Sequence, residues 1–178
     1  GNLGNILDFD NLTKQNIYVL NSPILSNSQF KKFIDFFGKN SSVIDCTFST
    51  KVSLYEAIKK IQKDAEIAVR QGVTQLILSD KELSSSRLHI PMTLAVGSIN
   101  TFLIEKKLRG YVSINVQSGE VLDTHSFATL IGVGATTVNP YLAFDSLYQR
   151  HEKKLFGKYS FDDCVKRYIA SVNAGLLK

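Results

Sequence analysis

Short apolar, β-branched runs alternate along the chain with longer segments whose apolar residues recur every three or four positions, and this alternation limits the fold more than any other feature. The runs are Ile17 to Leu20, Val43 to Phe48, Thr74 to Asp80, the stretch YVSINVQS after Gly110, and ATTVNP ending at Pro140. The run TQLILSD is apolar at three consecutive positions, as suits a strand covered on both faces of a parallel sheet. Strand-helix-strand units of this kind close by right-handed crossovers. We therefore read the chain as α/β, a mostly parallel sheet with alternating strands and helices. It forms either an incomplete barrel-like arrangement or an open layer, and a helical C-terminal tail follows it.

The helix boundaries carry their own chemistry. After a turn at Ser22-Pro23, a helix is expected over Asn27 to Phe37, closed by Gly38. Ser53 and Glu56 have capping-box spacing, each able to satisfy a free backbone N–H of the other. Leu54, Ile58, Ile61, Ala65 and Ala68 then make an apolar stripe that should cover a sheet, with Gly72 as the stop. A loop of Ser84-Ser85-Ser86-Arg87 leads to Pro91, which fits the first turn of a helix reaching about Lys107. His125 to Leu130 reads as a short helix ended near Gly132, and Gly134 admits the next strand. From Tyr141 onward the pattern is helical, broken by the polar stretch KKLFGKYS.

Several function classes fall away on composition. A chain of 178 residues with 44% hydrophobic and 21% charged residues can hold a core, since roughly 150 residues bury about 70% of the unfolded surface. No apolar run reaches the length of a membrane span, and the start GNLGNILDFDN lacks the features of a signal peptide. The net charge of +5 is spread over exposed-looking helix faces rather than gathered with aromatics, which argues against nucleic acid as a partner. Cys46 and Cys164 stand far apart without ligand spacing, so neither a zinc site nor a disulfide framework is expected, and a reducing compartment is the simple reading.

In parallel α/β folds ligands gather beyond the carboxyl ends of the strands. The residues there include Asp45, Asp80, Gln117, Glu120 and Asn139, with His89 and His125 as the histidines nearest in sequence. The candidate polar strand-end cluster is Asp80, Gln117, Glu120, His125 and Asn139. Asp80 and Glu120 could act as paired carboxylates with His125, as an independent α/β hydrolase or lyase would use them. The alternative is that both carboxylates cap neighbouring segments. The glycines of Gly132-Val-Gly134-Ala135 follow a helix and precede a strand, the reverse of a phosphate-binding loop. Ser84-Ser85-Ser86 lacks the surroundings of a nucleophile elbow. Cys46 lies inside an apolar strand, where burial makes a thiol inert.

LNSPILSNSQF, VIDCTF, LILSD, IPMTLAVGSINTFLIEKKLR, SGEVLDTHSFATLIGVGATTVNPYLAFDSL and YIASVNAGLLK follow one another in this chain. In order and spacing they resemble the central domain of the glutamate synthase large subunit, and GNIL near the start is similar to that family's Gly-Asn-Leu-Leu. The chain departs from the family at Gln117-Ser118-Gly119-Glu120, where Glu-Thr-Gly-Glu is usual, and at His125-Ser126, where His-His is usual.

The resemblance implies a multidomain enzyme of glutamate biosynthesis. Its amidotransferase domain hydrolyses glutamine, and ammonia passes to an FMN-binding synthase domain that converts 2-oxoglutarate to glutamate. FMN and an iron-sulfur cluster carry electrons from NAD(P)H or ferredoxin. The segment itself is expected to hold none of these cofactors and no catalytic residue. Its partners would be the amidotransferase and FMN synthase domains of the same chain, with ammonia as a possible channelled species and neither nucleic acid nor membrane. The implied compartment is the cytoplasm or a plastid stroma. By the same resemblance, residues 1–155 form the central domain, without its amino-terminal part, and residues 156–178 are the linker and first helix leading into the FMN domain. Faces normally covered by neighbouring domains should then be bare. If the module guides ammonia, Asp80 and Glu120 should be tied up by backbone amides or by Arg87 or His89, leaving amide side chains to line the path.

Overall fold

The computed structural model describes residues 18–178. Its helices are α1 (Asn27–Phe37), α2 (Leu54–Arg70), α3 (Met92–Glu105), α4 (Thr124–Gly132), α5 (Tyr141–Glu152) and α6 (Phe161–Leu176). Its strands are β1 (Ser41–Asp45), β2 (Thr47–Ser49), β3 (Gln75–Ser79), β4 (Arg87–His89), β5 (Ser113–Gln117) and β6 (Thr137–Asn139). β1, β3, β5 and β6 form one parallel sheet in that order, and β2 pairs with β4 antiparallel as a separate ribbon. The main sheet is an open layer in which each strand lies beside the next one in sequence. Crossovers of one hand then place α2, α3 and α4 on the same face.

That face holds the main core. Leu76, Leu78, Ile114, Val116 and Val138 of the strands meet Ile61, Ala65, Met92, Ile99, Leu103 and Phe127 of the helices. The opposite face carries a smaller cluster in which Ile77 meets Leu25, Phe30 and Phe33 of α1 and the segment before it. Both capping boxes at the starts of α1 and α2 are formed, by Ser26 with Gln29 and by Ser53 with Glu56. Each box satisfies two backbone N–H groups that the helix leaves free. Gly38, at φ +46°, follows α1 as a residue with a side chain rarely could. At the amino-terminal ends of the strands, Arg109 ties three segments together. It donates to Asn100 Oδ1 (2.6 Å), the Val112 carbonyl (2.5 Å) and the Gly134 carbonyl (3.0 Å).

Three local expectations need correction. The stretch Tyr18 to Leu20 joins no strand; Ile17 and the GNIL motif lie outside the described residues. The chain pairs with β6 a few residues later, where the Leu25 N–H donates to the Val138 carbonyl (2.9 Å) and the Val138 N–H to the Pro23 carbonyl (2.8 Å). Tyr18 and Leu20 pack instead against the α1 cluster. Second, Val43 to Phe48 is not one strand but two elements divided at Cys46. The Asp45 carboxylate accepts from both the N–H (2.8 Å) and the hydroxyl (2.7 Å) of Thr47, which turns the chain out of the sheet. Third, the serine-rich segment does not run as a loop up to Pro91: Arg87 opens β4 and pairs across to β2.

Candidate strand-end site

The register of the parallel sheet puts Asp45, Ser79, Gln117 and Asn139 side by side at its carboxyl edge. From Ser79 onward they form a directed series of hydrogen bonds. The Ser79 hydroxyl donates to Gln117 Oε1 (3.1 Å), Gln117 Nε2 to Asn139 Oδ1 (3.2 Å), Asn139 Nδ2 to Asn27 Oδ1 (2.9 Å), and Asn27 Nδ2 to Asp145 Oδ1 (3.3 Å). Asn139 also donates to the Leu25 carbonyl (2.9 Å), holding the segment before α1 against β6. One row back, Thr137 donates to Asn115 Oδ1 (2.8 Å), and Asn115 Nδ2 donates to Gln75 Oε1 (3.0 Å) and to the Leu76 carbonyl (3.2 Å). Asn115, Thr137 and Asn139 are fully buried, so each of these bonds replaces water that the group has lost.

The carboxylates face elsewhere. Asp80 is buried; it accepts from the Ser118 hydroxyl (2.7 Å) and the Gly119 N–H (3.0 Å), fixing the turn after β5. A Cβ at Gly119 would stand 2.6 Å from Leu142 Cδ1, so the half-exposed Leu142 side chain packs directly on this turn and would have to shift to admit one. Tyr141 lies against the same carboxylate, and burial together with the Asp80 charge pushes its phenol up to about 12. Glu120 accepts from the Met92 N–H (2.8 Å) at the start of α3 and lies 2.8 Å from His89 Nε2. Pro91, which precedes Met92, has no side chain able to cap that helix, so Glu120 does so from a distance of 28 residues in sequence.

Arg87 pairs with Asp45 (2.6 Å) and bonds the Thr47 hydroxyl (2.8 Å) and carbonyl (2.9 Å). It does not hold Asp80 or Glu120. His125 is exposed on the first turn of α4 and shares a recess of about 190 Å³ with Glu120 without a hydrogen bond between them. The five candidates therefore divide: Gln117 and Asn139 are bonded to each other, while Asp80, Glu120 and His125 each belong to a different local arrangement.

The residues that complete the row were not singled out from sequence. Ser79, Asn115, Thr137 and Asn27 belong to it, and the available signal was the recurrence of polar residues at every second position of β5 and β6. Neither cysteine suits a cluster ligand, which must be a thiolate. Both are buried, and burial pushes the Cys46 thiol up to about 12. Among the described residues no group of three or more His, Cys, Asp and Glu side chains is placed to hold a metal ion. The Gly132 to Ala135 turn leads into a strand rather than a helix, which does not suit it to a phosphate such as that of FMN.

A family model for the glutamate synthase central domain matches residues 1–178. The large chain of glutamate synthase [NADPH] from Azospirillum brasilense is 42% identical over 181 residues, covering 100% of this chain and 12% of that protein. Its counterpart from Bacillus subtilis is 40% identical over 161 residues, covering 89% of this chain and 10% of that protein. The chloroplastic ferredoxin-dependent glutamate synthase of Spinacia oleracea is 32% identical over 193 residues, covering 100% and 12%.

Proposed function

The chain belongs to the glutamate synthase central-domain family, and from that premise we propose that it is the structural module joining a glutamine amidotransferase domain to an FMN synthase domain in one polypeptide. The observation that carries the reading is the match over the whole chain to a domain that makes up only 12% of the first relative. The parent reaction is then the conversion of glutamine, 2-oxoglutarate and a reductant to two glutamates, in the cytoplasm or a plastid stroma. FMN, an iron-sulfur cluster and the electron donor, NAD(P)H or ferredoxin, bind elsewhere in the parent. Residues 1–155 are the central domain proper. Residues 156–178 lead toward the FMN domain, after α6 has docked on α4 and α5.

The geometry favours this over an independent hydrolase or lyase. Asp80, Glu120 and His125 share no hydrogen bond, and the first two are engaged with backbone N–H groups. For ammonia, the relevant feature is the neutral row at the carboxyl edge. Asn139 has both ends of its amide engaged and anchors the row. Gln117 is only half-buried, and among the described residues its amide nitrogen donates once, to Asn139, which leaves its second N–H for a passing acceptor. An amide neither protonates ammonia nor holds ammonium as a free carboxylate would. We assign Gln117 to the wall of an ammonia path on that ground.

Two measurements test the reading. The full-length parent, supplied with glutamine, 2-oxoglutarate and a reductant, should form glutamate, and the 178-residue chain alone should neither show a flavin absorbance band nor release ammonia from glutamine. Failure of the parent to form glutamate, or either activity in the isolated chain, would sink it. For the path, Gln117→Leu in the parent should raise the ratio of glutamine hydrolysed to glutamate formed, and an unchanged ratio removes Gln117 from the wall.

A further inference from the structure

Two ion pairs among the described residues fasten the β2–β4 ribbon to its surroundings. Arg87 of β4 holds Asp45 at 2.6 Å, and His89, two residues on, places Nε2 2.8 Å from Glu120 Oε2. Arginine keeps its charge at any ordinary pH, whereas histidine is the side chain whose charge ordinarily changes between about pH 5 and 8. One fastening is therefore fixed and the other titrates.

Glu120 is what makes the second one consequential. Its Oε1 accepts from the Met92 N–H at the start of α3 (2.8 Å), its Oε2 meets His89, and its own N–H donates to Ser118 Oγ (3.2 Å). A single carboxylate thus joins the ribbon, the first turn of α3 and the turn after β5. A neutral imidazole can donate Nε2–H to it. The protonated ring makes the same bond with charge on both partners, which shortens and strengthens it.

The surrounding charges leave this pair to act by itself. Arg87 shares a face of β4 with His89 and opposes a second positive charge there, but Asp45 neutralises it. β2, opposite, contributes Thr47, Phe48 and Ser49, and α3 begins with Met92, Thr93 and Leu94, none of them titratable. Asp80 spends its carboxylate on Ser118 and Gly119. On α2, Lys59 lines a groove with Pro91, and Lys60 lies close enough to act on the Cys46 thiol. On α4, His125 shares the recess with Glu120 without bonding it, and Asp123 stands beside His125.

We propose that His89 and Glu120 form a pH-sensitive latch that fastens the β2–β4 ribbon to the start of α3 and to the turn after β5. Protonation of His89 adds attraction to a carboxylate already held in place, so the latch tightens as pH falls through the histidine range and slackens as pH rises. Protonation of Glu120 in stronger acid ends it. The ribbon leaves the sheet at Asp45, on the edge that carries the polar row, so the loosening is local to that edge. The latch is independent of the central-domain reading.

The test is amide hydrogen exchange in the full-length protein, read by peptide mass over Leu83 to Ile90 and taken relative to the unstructured rate at each pH. Protection should fall about two- to fivefold between pH 6 and pH 8, the scale of a partly exposed ion pair, while α6, which bonds neither residue, keeps its protection. His89→Gln and Glu120→Gln should each remove the slope, and His125→Gln should keep it. Glu120→Gln retains an acceptor for the Met92 N–H, so it decides alone if His89→Gln does not fold. A flat profile in the unmodified protein overturns the latch, as does a slope that survives in Glu120→Gln or in a folded His89→Gln. Loss of the slope in His125→Gln overturns it by naming the other histidine, and a parallel change in α6 overturns it by making the effect global.

Discussion

Gln117 on β5 and Asn139 on β6 occupy paired register positions, and their side-chain amides are joined across 3.2 Å. The bond carries the hydroxyl of Ser79 on one side and the amide of Asn27 on the other. A polar series thus crosses the carboxyl edge of a sheet whose other face is packed with Leu76, Leu78, Ile114, Val116 and Val138.

Replacing Asn139 by leucine keeps the branching pattern of the side chain but leaves the Leu25 carbonyl, Asn27 Oδ1 and the Gln117 amide without their partner. We expect a loss of about 2–3 kcal/mol, the scale of buried polar groups left unpaired, measured by urea unfolding. A loss below about 0.5 kcal/mol, the range of ordinary surface substitutions, would mean that the row does not hold the segment before α1.

Glycine substitutions should separate two kinds of position. Gly119→Ala places a Cβ 2.6 Å from Leu142 Cδ1, so the half-exposed Leu142 side chain must shift, and should destabilise by about 1 kcal/mol, the low end for overpacked sites. Gly97→Ala has an ordinary contact at 3.9 Å and should raise the melting temperature of the 178-residue chain, because alanine is the better helix former. Equal effects of the two changes would contradict this difference in packing.

Alkaline pH should weaken the fold from about pH 9 upward. Burial raises the Cys46 thiol from 9.0 to about 12, and burial with Asp80 raises the Tyr141 phenol from 10.0 to about 12. A raised value in the folded state means that the unfolded chain releases its proton first. The associated stability is complete below the unfolded value and is lost as pH climbs to the folded one. In Cys46→Ala the decline between pH 9 and 10 should be shallower than in the parent sequence. Parallel melting-temperature profiles over that interval would exclude Cys46 as its source.

Arg87 and Asp45 join the β2–β4 ribbon to the main sheet, with both side chains 36% exposed. Solvent at that exposure limits the pair to about 0.5–1 kcal/mol, so Arg87→Met should leave global stability nearly unchanged. Its visible effect should be faster limited proteolysis at Leu83 to Ser86. Unaltered cleavage would show that strand pairing alone holds the ribbon.

The sequence by itself determined the features that depend on neighbours a few residues away. The Ser53 and Glu56 capping box, the Gly38 stop and the stripe from Leu54 to Ala68 are written at the spacing of one helical turn, and the apolar LIL of β3 calls for cover on both faces. The order of the motifs also carried the family resemblance. Only tertiary structure decided that Ile24 rather than Tyr18 to Leu20 meets β6, that Cys46 divides the second run, and that Glu120 caps a helix begun at Met92. It likewise parted Asp80, Glu120 and His125 while joining Gln117 to Asn139. The reason is that strand register is a contest among hydrogen bonds far apart in the chain, settled by which arrangement leaves the fewest buried polar groups unpaired.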